Sequence, residues 1–76
     1  MEKEQIEQAI SAAFDSLILI NKLQSGEDKL NKILSQEKVD KMISDNIEHL
    51  KVMMEFEWFN GALSSAQAKQ IQKIIK

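Results

Sequence analysis

An all-α fold is predicted for this 76-residue chain by two observations. It contains no Pro and only two Gly, and Lys, Glu, Gln, Ala, Leu and Ile dominate its composition, a set that favours helix nearly everywhere. Its apolar residues recur every three to four positions, the spacing that lines one face of a helix. The expected architecture is a single domain, a small bundle of three to four helices over about residues 2–24, 27–34, 36–59 and 65–75. A chain this short sits near the lower limit for a self-sufficient core, so assembly as an oligomer is expected too.

The first helix is read from Ile6, Ala9, Ile10, Ala13, Phe14, Leu17 and Ile20, which fall in one sector at 100° per residue. Leu19 and Leu23 lie off that sector. The segment "QSGEDK" breaks the pattern, with Gly26 able to take the left-handed conformation just past a helix end. Glu27 and Asp28 then suit a first turn, so a short helix presenting Leu30, Ile33 and Leu34 is expected. Ser35 stands where it could cap the next helix, which makes a bend plausible there; neither Gly nor Pro enforces one, and a continuous helix stays open.

Beyond Ser35, one long helix is expected, with Val39, Met42, Ile43, Asn46, Ile47, Leu50, Met53 and Met54 on its main face and Glu37 and Lys41 as an outer pair. Asn60 and Gly61 mark a turn, since both tolerate positive φ. Ser64 followed by Gln67 fits a capping box and starts the last helix, whose apolar residues are Ala68, Ile71, Ile74 and Ile75.

Composition narrows the function. There is no Cys, which removes disulfides and thiolate metal sites and suits a reducing compartment. Ten Lys against 12 acids give a formal charge of -2, with no Arg, so general affinity for nucleic acid is not expected. The opening "MEKEQIEQ" is acidic and polar, unlike a signal peptide, and no segment approaches the roughly 20 apolar residues needed to cross a bilayer. The expectation is a soluble, cytoplasmic protein with no membrane association.

"LKVMMEFEWFNG", Leu50 to Gly61, poses the main question. On a continuous helix, Trp58 falls at the margin of the main apolar sector, while Val52, Phe56 and Phe59, spaced i, i+4, i+7, form a second stripe on the other side. Two apolar sides need two covers. The C-terminal helix could fold over the second stripe, or another subunit or another protein could cover it. A strand-like exit is a third reading, since Met54, Phe56 and Trp58 alternate with Glu55 and Glu57. Val52, Phe56, Trp58 and Phe59 are therefore the candidate interface, and self-association, most simply a two-fold dimer, would bury the excess.

Other constellations are weaker. Asp45 and His49 lie one turn apart, and His49 is the only His; the pair could hold a metal only with ligands from elsewhere, and a solvated surface pair is the plainer reading, so no metal site is expected. Asn46 falls inside the apolar sector, where a buried amide must find partners and could fix register or touch a ligand. Lys69, Lys73 and Lys76 form a stripe on the last helix, favourable at a helix C-terminus and, if duplicated by symmetry, able to face a small anion such as a nucleotide. Asn46, His49, Lys69 and Lys73 are the candidate ligand residues. No nucleophile with its base, phosphate-cradling loop or zinc spacing is present, so neither catalysis nor a cofactor is expected.

The run "VDKMISDNIEHLKVMM", in which an Asn precedes a "HL" pair and an apolar run, resembles a pattern in small all-helical orphan proteins encoded by bacteriophages. The resemblance covers about a fifth of the chain. It implies a phage accessory protein acting inside a bacterium, by antagonising a host defence. The function expected is a non-enzymatic helical interaction protein, a homo-oligomer that binds a host partner protein. The alternative is an oligomeric sponge that sequesters a small anionic ligand such as a nucleotide signal.

Overall fold

A computed structural model describes residues 2–76. Five α-helices follow one another: α1 (Lys3–Ser25), α2 (Leu30–Ile33), α3 (Gln36–Met54), α4 (Glu57–Asn60) and α5 (Ser65–Ile75). Three are long and two are single turns, against the three to four expected, and no strand occurs among the described residues. The central α3 touches every other helix, packing against α1 and α5 and receiving the short α2 and α4 at its two ends.

Helix α1 ends where its sequence says it should. Gly26 has φ 78°, and the N–H groups of Gly26 and Glu27 bond to the carbonyls of Leu23 and Lys22, the paired bonds of a Schellman stop. The connection is then tied by side chains. Asp28 Oδ1 accepts from the Leu30 N–H, Asn31 Oδ1 accepts from the Asp28 N–H, and the Asn31 amide donates to the Leu23 carbonyl, each at 3.0 Å. This compact turn takes up Glu27–Lys29, so the expected helix over 27–34 shrinks to four residues, and Ile33 is left 74% exposed.

At Ser35 the chain bends: Leu34 and Ser35 are extended, and the Ser35 hydroxyl accepts from the Lys38 N–H at 3.4 Å. Along α3, Val39 and Leu50 are buried while Met42, Ile43, Asn46 and Ile47 are half-buried. Glu37 does not hold Lys41; the Lys41 ammonium lies 3.4 Å from Asp45 instead. That arrangement is also i, i+4 with the acid second, and both side chains are well exposed, so it contributes at most about 0.5 kcal/mol.

The continuous helix expected over 36–59 is absent. Helix α3 stops at Met54, Phe56 is extended at φ -85° and ψ 120°, and α4 restarts at Glu57. No Gly or Pro causes this. Without the break, Phe59 would stand about 20° from Val52, on the side opposite Leu50. With it, Phe59 turns inward and is 0% exposed, in one cluster with Ala13, Leu17, Ile20, Leu50 and Ile71. Burying a Phe side chain is worth about 1.5–3 kcal/mol, and the break is repaired locally. The N–H groups of Glu55 and Phe56 bond three residues back, and the Asn60 amide donates to the Met54 carbonyl at 2.8 Å.

The turn at Asn60 and Gly61 also differs from expectation. Gly61 has φ -70°, so no left-handed residue is needed. Glycine is required there for space: a Cβ would lie 2.8 Å from the Glu57 carbonyl oxygen. Helix α5 then opens with the expected capping box, Ser64 and Gln67 each bonding the other's backbone N–H. Leu23, off the main face on the wheel, is buried; it stands beside Gln36, Asp40 and Ile43 of α3, and Asn31 of α2 bonds its carbonyl.

Candidate interaction surface

The break at Phe56 divides the expected second stripe. Phe59 leaves it for the core, while Val52 and Phe56 stay outside at 42% and 45% exposure. The candidate interface is thus reduced to Val52, Phe56 and the half-buried Trp58. Phe56 stacks on Trp58 with centroids 5.9 Å apart and planes 28° from parallel, and Trp58 meets Phe59 edge-on at 6.0 Å. Trp58 therefore joins an outward ring to the core. Offset aromatic pairs of this kind are favourable beyond their buried area, by about 0.5–1.5 kcal/mol, so Phe56 is held in place although nearly half of it faces water. Exposed acids flank it in sequence: Glu55 and Glu57 are its immediate neighbours, and Glu48 lies one turn before Val52.

A second feature lies between α1 and α5. A cleft of about 360 Å3 is lined by Leu17, Asn21, Gln70, Lys73 and Ile74. Its floor is apolar, its rim carries two amides and one cation, and no carboxylate lines it. Lys69 is exposed one turn before Lys73 on α5. Ile18, 52% exposed, follows Leu17 on α1.

The remaining candidate ligand residues do not join this cleft. Asn46 is half-buried, and its amide donates to the Met42 carbonyl one turn back at 2.7 Å, so its donor is satisfied within its own helix. His49 is exposed on α3, and the nearby Asp45 is engaged by Lys41. Among the described residues, no group of three His, Asp or Glu stands together in a metal-binding cluster, and no helix is long and apolar enough to cross a membrane.

Of the four ligand candidates, Lys73 lines this cleft together with residues from another helix. Asn21 and Gln70 were not singled out from the sequence. They are 49 positions apart, exposed and polar, and only the crossing of α1 and α5 brings them together. No protein-family model, curated protein or solved structure matches this chain.

Proposed function

We propose that this chain is a non-enzymatic binding module that assembles with copies of itself and engages a partner protein through apolar surface. The observation that carries the reading is the area left uncovered. The accessible surface is 5449 Å2 for an 8.7 kDa chain, where a compact monomer of that mass exposes roughly 4,700 Å2. The radius of gyration, 13.3 Å, likewise exceeds the roughly 11.4 Å of a compact chain of this length. The surplus, roughly 700 Å2, is close to one partner's side of a standard protein interface, ~800 Å2. Val52 and Phe56, beside the half-buried Trp58, are among the large apolar residues left exposed.

The likeness of Val39–Met54 to phage orphan proteins adds a setting to this proposal: the bacterial cytoplasm, a host protein as partner, and antagonism of a host defence as the outcome. A second reading, an oligomeric sponge for a small anionic ligand, is favoured by the cleft at Lys73, where a cation and two amides surround an apolar floor with no acid to repel an anion. Native mass spectrometry separates the two. Multiples of 8.7 kDa with no added mass support the interaction module. A small anion retained with the protein, and lost in Lys73→Glu, supports the sponge. A bare 8.7 kDa species at every concentration removes the proposed self-association.

A further inference from the structure

The exposed aromatic patch and the α1–α5 cleft have opposite chemistry. The chain that carries Val52, Phe56 and Trp58 also carries exposed Glu48, Glu55 and Glu57, and exposed Lys51 is the cation between them in sequence. The cleft has an apolar floor of Leu17 and Ile74, donors from Asn21 and Gln70, and Lys73 on its rim with Lys69 one turn away.

Resting on the self-association proposed above, we infer that copies of this chain join head to tail, with Phe56 of one copy entering the Leu17–Ile74 cleft of the next and Glu55 and Glu57 meeting Lys69 and Lys73. Three observations favour this over a two-fold contact of the aromatic patch with itself. A two-fold contact would bring the exposed Glu48, Glu55 and Glu57 of both copies into one interface, and concentrating like charge there opposes it. The cleft's 360 Å3 lies at the small end of ligand cavities, which suits one aromatic side chain. The patch and the cleft are formed by separate residues, Val52–Trp58 and Leu17–Asn21 with Gln70–Ile74, so one chain can offer both at once. A contact that joins two different surfaces closes into a ring if its rotation permits and otherwise runs on as a filament.

A mixing experiment tests this, because each surface can be disabled alone at exposed positions. Phe56→Ala removes the inserted ring and leaves the cleft intact. Lys69→Glu combined with Lys73→Glu reverses the rim and leaves the ring intact. Helical circular dichroism verifies that both variants fold, and sedimentation velocity reads their size. Parent protein is expected to assemble, and each variant alone to self-associate roughly 30-fold or more weakly, as at a central contact residue. Mixed together, the two variants are expected to form a capped pair of twice 8.7 kDa, since one keeps the cleft and the other the ring. Adding Glu55→Lys and Glu57→Lys to the double lysine variant is expected to restore its assembly.

Failure of the two variants to pair, with the parent still oligomeric, overturns the head-to-tail contact and leaves self-association standing. A lysine variant that still dimerises while Phe56→Ala does not would assign the aromatic patch to a two-fold contact and overturn the inference. A parent that stays monomeric removes both readings, and a small anion retained by that monomer and lost in the lysine variant gives the cleft to a ligand.

Discussion

Phe56 and Phe59 are three positions apart and are both aromatic, yet the fold gives them opposite duties, and truncating each in turn tests the helix break that separates them. Phe59 is fully enclosed among Leu17, Ile20, Leu50 and Ile71. Phe→Ala at such a site costs about 3–5 kcal/mol, from lost transfer energy and the cavity left behind. At roughly 0.05–0.15 kcal/mol per residue, a chain of 76 residues has a total stability of about 4–11 kcal/mol. Phe59→Ala is therefore expected to lose much or all of the fold. Phe56 is 45% exposed, so Phe56→Ala loses part of a transfer term and a share of the Trp58 stack, about 1 kcal/mol.

For a domain of this size, 1 kcal/mol moves Tm by about 4–8 °C. Thermal melts at low protein concentration, where assembly contributes little, should show Phe59→Ala lowered by at least about 12 °C and Phe56→Ala by at most about 8 °C. Phe59→Leu leaves a smaller void and should fall between them, which keeps the comparison readable if the Ala variant does not fold. Equal losses at 56 and 59 would mean that the helix runs on and that the two rings share one face, refuting the break.

Three further outcomes follow from the joints between helices. Asn60→Ala removes the 2.8 Å bond to the Met54 carbonyl and should destabilise by about 1–3 kcal/mol in urea titrations, because that carbonyl then lacks its partner. Ser64→Ala breaks the capping box of α5 and should cost about 0.5–2 kcal/mol, read as a fall in Tm without change of helical content at low temperature. Gly26→Ala and Gly61→Ala should both destabilise for different reasons. The first forces a side chain into φ 78° with open space around it, the second drives a Cβ against the Glu57 carbonyl. Asn should therefore be better tolerated than Ala at 26 and not at 61, since Asn visits the left-handed region.

Features held by neighbouring residues could be read in advance. The stop at Gly26 and the box of Ser64 and Gln67 each depend on a few adjacent positions, and the structure forms both; at Ser35 the residues left bend and continuous helix open, and the chain bends. The break at Phe56 could not be read that way. "MMEFEWF" has no Gly, Pro or strong cap, and the break forms because it places Phe59 among residues contributed by α1 and α5, which is information spread along the whole chain. Two asparagines have roles that the sequence does not announce, Asn60 beyond its place in the turn, for a related reason. Asn31 and Asn60 satisfy carbonyls eight and six residues away, a role that apolar periodicity does not register. The cleft at Lys73 needs Asn21 and Gln70 to meet across two helices, so the lysine stripe was legible and its companions were not.

Phe56 stands 45% exposed, and the proposed contact between chains depends on it. Sedimentation equilibrium of the parent and of Phe56→Ala, over micromolar to millimolar protein, measures this most directly. The parent should weigh a multiple of 8.7 kDa that grows with concentration, and the variant, equally helical, should remain near 8.7 kDa across the same range. A parent that stays at 8.7 kDa throughout, or a Phe56→Ala variant that assembles as the parent does, would contradict the claim.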